Sequence, residues 1–162
     1  MKPGDHPEFF RFPAPPGQSR ESSIRLDREG RFWHDGELIE HPKLAEAFFQ
    51  WISRHPDDGR FILTNGYDWT YFSVEDTAYF VRSVGHEGGQ VRLHLSSGDE
   101  APLGALSQGD DGALYAAVAV QGRPEVARFT RHAQIELAPA LEEREGQVGV
   151  LSGGVFVVPT AR

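Results

Sequence analysis

Glu75 and Asp76 are the residues best placed to meet a ligand. They close an aromatic strand that holds Trp69, Tyr71 and Phe72, and they stand where the first half of the chain passes into the second. Acid–base catalysis needs both carboxylates on one substrate atom, whereas neighbours on a strand project to opposite faces. The pair therefore reads as acceptors for a ligand's donor groups or as a strand-end turn, and not as a catalytic dyad. Trp69 offers a face for stacking, Asp99 a further acceptor, and Arg131 a partner for a phosphate. Arg128 lies three positions before Arg131, so the two could grip an anion together or form a solvated face. Trp69, Glu75, Asp76, Asp99 and Arg131 are the candidate ligand-binding residues.

The remaining chemistry is sparse. The histidines (His6, His34, His41, His55, His86, His94, His132) include no helical i, i+4 pair with a Glu and no H-x-H, so no metal ligand set is read. His34 before Asp35-Gly36 reads as a turn residue. Asp57-Asp58 and Asp110-Asp111 precede Gly and read as solvated turns. The glycines at 85–89 lack the Lys and Ser/Thr of a phosphate loop. Ser152 has Val150 where a nucleophile elbow needs Gly. An enzyme would need His34, Asp27 or Glu75 to converge on a pocket, so no catalytic residues and no cofactor are assigned.

Charge narrows the partners. Lys and Arg total 16 against 24 Asp and Glu, a formal charge of −8 spread over both halves. Nucleic acid is excluded as an expected partner, because neutralising phosphates needs a basic face. The chain has no cysteine, no apolar leader and no stretch of membrane-spanning length. The expectation is a cytoplasmic protein without a membrane partner. Hydrophobic residues at 39% and aromatics at 11% supply a packed core.

The elements that must hold these residues follow from punctuation. Residues 1–22, with Pro3, Pro7, Pro13, Pro15 and Pro16, read as an extended arm that Phe9, Phe10 and Phe12 could dock. Ile24 and Leu26 open a strand, and Asp27-Arg28-Glu29-Gly30 is a turn into Phe32 and Trp33. Pro42 starts a helix with Leu44, Ala47, Phe48, Trp51 and Ile52 on one face. Strands follow at 60–64 and 69–75, then at 79–84, 90–95, 100–106 and 114–120. A second helix is expected from Pro124, with Val126, Phe129, Ala133 and Leu137 on one face. A last hairpin turns at Ser152-Gly153-Gly154. Gly30 to Pro42 and Gly112 to Pro124 have equal spacing and similar order, which implies a duplication. The fold class is α+β: two duplicated small domains, 23–77 and 78–162, each a mostly antiparallel sheet with one covering helix.

The chain also resembles a known family, the bacterial proteins grouped as domain of unknown function 1285. The resemblance is carried by Ile24 to Gly36 (IRLDREGRFWHDG), by Leu63-Thr64 with Val74-Glu75-Asp76, by Ser97-Gly98-Asp99-Glu100, and by Gly149 to Phe156 (GVLSGGVF), and it spans about residues 22–159. Departures are Asn65 where the family usually has Pro, Thr77-Ala78-Tyr79-Phe80 in place of Ala-Pro-Phe, and Leu151 where Trp is frequent. The resemblance implies a duplicated α+β core with a second domain like pleckstrin-homology folds. It further implies a nucleotide-like ligand at the domain interface and a role in signal transduction. The expected function is non-enzymatic binding of a nucleotide-like small molecule, and the alternative is an adaptor that binds an extended peptide of a protein partner at a sheet edge.

Overall fold

Asp27 to Gly30 folds as the sequence dictates, because Gly30 takes φ of 84° and so reverses the chain. The turn joins β1 (Arg25–Leu26) to β2 (Phe32–His34), and Asp35-Gly36 joins β2 to β3 (Glu37–Leu38). The computed structural model describes every residue from Met1 to Arg162, and the chain divides into two units, Met1–Asp76 and Thr77–Arg162. In the first, α1 (Pro42–Trp51) leads into β4 (Ile52–Arg54), β5 (Phe61–Thr64), β6 (Trp69–Tyr71) and β7 (Ser73–Val74). Two sheets result, in the orders β3-β2-β1-β7 and β4-β5-β6. All pairings in this unit are antiparallel except β1 with β7. The sequence expected one strand over 69–75. The chain instead breaks at Phe72, because β7 leaves β6 to join β1 in the other sheet.

Proline at the first helical position and His41 at the cap begin α1, with the Leu44 N–H donating to His41 Nδ1 at 3.3 Å. Its buried residues are Phe48 and Phe49, not the full face expected. Leu44 is 40% exposed, and Ile52 has already left the helix for β4. Phe32, 1% exposed, centres the core, its ring 5.3 Å from Phe48 and 4.8 Å from Phe49. The arm, expected to be extended, forms two 3-10 turns at Pro3–Asp5 and Pro7–Arg11, each with proline in its first turn. Beyond them it runs beside β6, where the Tyr71 N–H donates to Arg20 O at 2.8 Å.

The second unit opens with β8 (Tyr79–Glu87), β9 (Gln90–Leu95) and β10 (Glu100–Pro102). It continues through β11 (Leu106–Gln108), β12 (Leu114–Val120), β13 (Arg123–Phe129), α2 (Arg131–Glu136), β14 (Leu141–Arg144), β15 (Gln147–Ser152), β16 (Val155–Val157) and β17 (Thr160–Ala161). Its sheets run β10-β9-β8-β13-β12-β11-β17 and β14-β15-β16, and neither closes into a barrel. The expected helix from Pro124 is a correction: Pro124 lies within β13, and α2 starts after Thr130, whose Oγ1 accepts from the Ala133 N–H. The inward residues of β13 are Glu125, Ala127 and Phe129 at period two, while Val126 is 37% exposed. A buried glutamate hid that alternation. Pro124 is tolerated because β8 pairs only with residues 127–129, so the start of β13 has one neighbour.

The two units share an order of elements, although Pro42 starts a helix and its expected match Pro124 lies in a strand. After β8, β9 and β10, the order β11-β12-β13-α2-β14-β15-β16-β17 repeats β1-β2-β3-α1-β4-β5-β6-β7. β13-β12-β11-β17 pairs as β3-β2-β1-β7 does, including the parallel pair at one edge, and both three-stranded sheets are antiparallel meanders. The chain is thus α+β and built mostly of antiparallel strands. No helix is long and apolar enough to cross a membrane.

Candidate functional site

The β5–β6 hairpin holds together an acceptor-rich turn and a helix-facing apolar surface. Asn65 Oδ1 accepts from the Tyr67 and Asp68 N–H groups at 2.8 and 2.9 Å, which fixes the turn through the side chain. Leu63 and Thr70 are directly opposite and share the face on which α1 lies. A pocket of about 230 Å³ opens there, lined by Ile24, Phe48, Trp51, Leu63 and Thr70, with Asn65, Asp68 and Trp69 at the hairpin end. It is apolar on its walls and polar at one corner. No lysine or arginine lines it.

The other face of the hairpin carries a tightly committed cluster. His55 is 6% exposed, its Nδ1 accepts from the Asp57 N–H at 3.1 Å, and its Nε2 is 2.9 Å from Phe10 O. With Nδ1 accepting, Nε2 is the nitrogen that donates to Phe10 O. Burial and the hydrogen bond to Asp58 push the Tyr71 phenol up to about 12. Burial pushes the Asp58 carboxyl up, and bonds from Tyr71 and the Arg60 N–H outweigh it, so the group titrates below its ordinary value. Arg60 lies over the Tyr71 ring at 3.6 Å and forms two bonds to Glu21. Phe10 enters edge-on against Trp69, and Arg11 binds Asp57 at 2.8 Å. This cluster fastens the arm to the meander.

The five candidate residues fall in both units. Trp69 is 6% exposed, and Arg20 covers its ring at 4.7 Å while also binding Asp68 at 2.7 Å. The Trp69 Nε1–H and the Arg20 Nε–H are buried without a hydrogen-bond partner. Glu75 accepts from the Arg28 N–H at 2.9 Å and lies 3.8 Å from Arg25. Asp76 is half-buried in the bend after β7. In the second unit, Asp99 is exposed and accepts from Ser97 Oγ, and Arg131 is exposed as the first residue of α2. Of the five, Trp69 alone borders the pocket. Arg128, placed by the sequence beside Arg131 on a helix, is in β13 and bonds Tyr115 and Asp111.

The residues proposed from sequence for an enzyme do not share the pocket. Asp27 accepts from the Glu29 and Arg31 N–H groups, from Arg31 Nε and from Trp33 Nε1. His34 is exposed beside Asp35, and none of Asp27, His34 and Glu75 lines the pocket. No group of three or more His, Asp or Glu side chains is arranged to hold a metal ion. Sequence reading missed Trp51, Asn65 and Asp68. The signal for the last two was the Asn-Gly-Tyr-Asp turn, which an Asx bond always makes polar at its inner edge.

No family profile matches the chain, and no curated protein does. Two solved structures do resemble it. A DUF1285 family protein from Silicibacter pomeroyi DSS-3 is 21% identical, with a TM-score of 0.66 over 86% of this chain and 81% of that one. A DUF1285 family protein from Shewanella baltica OS155 is 15% identical, with a TM-score of 0.54 over 75% of this chain and 94% of that one. The likeness read from the motifs is therefore a likeness of fold.

Proposed function

We propose that the protein is a non-enzymatic ligand-binding protein with a role in signalling, and that the pocket between α1 and the β5–β6 hairpin holds the ligand. The observation that carries this reading is an apolar pocket walled by Phe48, Trp51 and Leu63, with Asn65 and Asp68 at one corner. At about 230 Å³ it is smaller than the ~300–1,000 Å³ usual for drug-sized ligands, which suits one ring system and not a whole nucleotide. Among nucleotide-like ligands the ring is the part that fits, flat against Trp51, with its polar edge toward Asn65 and Asp68 at the hairpin end. A phosphate would stay outside, since the lining offers Asp68 and no cation.

Nucleosides and nucleotides screened by thermal shift and tryptophan quenching test the reading. Ligand at ~100 times its dissociation constant should add about 2.7 kcal/mol of stability. Nucleosides should match their phosphorylated forms, and Trp51→Ala should abolish the shift while leaving the circular dichroism spectrum intact. A flat response to the whole panel overturns the proposal.

A further inference from the structure

β14 is the outer strand of its sheet, and all four of its residues are exposed. Its counterpart β4 buries Ile52 and half-buries Ser53 and Arg54, so the repeats part company at this edge. Glu145 and Gly146, with φ of 52° and 80°, form a two-residue turn that makes Arg144 and Gln147 the first hydrogen-bonded pair. Alternation then turns the N–H and C=O of Glu143 and the C=O of Leu141 away from β15. The Leu141 N–H is already bonded to Ala138 O. Glu143 lies directly opposite Val148, which is 57% exposed, and shares its face with Leu141, 44% exposed.

The charge on this edge is one-sided. β14 and its turn carry Glu142, Glu143 and Glu145 against Arg144, and Arg144 is spent on Glu142 at 2.9 Å. We propose that β14 is a docking edge for an extended basic peptide, which adds as a fourth strand with Lys or Arg opposite Glu143 and an apolar residue two positions away opposite Leu141. Charge complementarity selects that occupant. A second copy of the chain, pairing β14 on β14, would set glutamates against glutamates, which is unfavourable across strands.

The test uses the full chain and a fluorescein-labelled nine-residue peptide, Lys-Thr-Val-Thr-Lys-Thr-Val-Thr-Lys, in which Lys and Val stand two positions apart on one face, with its Glu/Val equivalent (Glu for each Lys) as control. Anisotropy should show saturable binding of the Lys peptide that Glu143→Lys weakens about tenfold. The Glu/Val peptide should bind the Glu143→Lys chain and not the original. Because Glu143 is exposed, the variant should keep its thermal midpoint, and saturating Lys peptide should slow hydrogen exchange at the Glu143 amide. Absence of saturable binding, equal binding of both peptides by both chains, or unchanged exchange at Glu143 overturns the proposal. So does a concentration-dependent dimer in ultracentrifugation that protects the same amide.

Discussion

Position for position, the turn from β1 to β2 holds Asp27 where the turn from β11 to β12 holds Gly109. The backbone bonds are the same in both: Asp27 N–H to Arg31 O and Gly30 N–H to Asp27 O in the first, Gly109 N–H to Ala113 O and Gly112 N–H to Gly109 O in the second. The first repeat adds a carboxylate that gathers two backbone and two side-chain donors. The second uses Asp111, which accepts from the Ala113 N–H and from Arg128. The meanders differ likewise. Ile62 is fully buried in β5, whereas β15 has Gly149 in the equivalent register beside Val150, and the arm that flanks β6 has no counterpart at β16. One topology therefore tolerates different fastenings, because pairing and the turn backbone define it and side chains only secure it.

The largest effect that would sharpen this contrast is at the first core. Phe32→Ala should cost about 3–5 kcal/mol in urea denaturation by transfer and cavity terms. A loss below ~1 kcal/mol would show that the three-phenylalanine cluster is not the centre of the first repeat.

Next comes Asp27. Burial pushes its carboxyl up, and the bonds from Trp33 and Arg31 outweigh that, leaving it below the ordinary value. The sign follows: its contribution is complete above the unfolded-state value near ~3.9 and is lost as pH falls through the folded one. Asp27→Asn should cost about 1–3 kcal/mol at neutral pH, and the gap between variant and parent should narrow in acid. A pH-independent difference would assign the effect to geometry instead.

Gly149→Ala probes the second meander, where an added Cβ would lie 2.6 Å from Val157 O and 2.8 Å from the Phe156 ring. Overpacking of this kind should cost about 1–3 kcal/mol by thermal denaturation, and an unchanged midpoint would show that β16 can move aside. The smallest effect belongs to the arm's surface pair. Glu21→Gln should change stability by less than ~1 kcal/mol, since exposed ion pairs contribute little. Phe10→Ala should cost more than Glu21→Gln and red-shift tryptophan emission as water reaches Trp69. The reverse order would mean that charge and not packing holds the arm.

By itself the sequence determined the turns, most strand positions and the α1 start. Gly at positive φ, Asn-Gly and Pro at a helix start are local signals that need no distant partner. Val91, Leu93 and Leu95 could be read as a half-buried strand for the same reason. Tertiary structure decided what depends on a neighbour. Val126, Phe129 and Ala133 fit helical spacing, yet pairing of β13 with β12 and β8 made residues 123–129 a strand. Of the candidate site, Trp69 was legible as an aromatic strand residue. That Arg20 would cover it, and that Trp51, Asn65 and Asp68 would meet beside it, was not legible. Those groups are brought together by the packing of α1 and the arm on one hairpin, and no spacing along the chain encodes that distance.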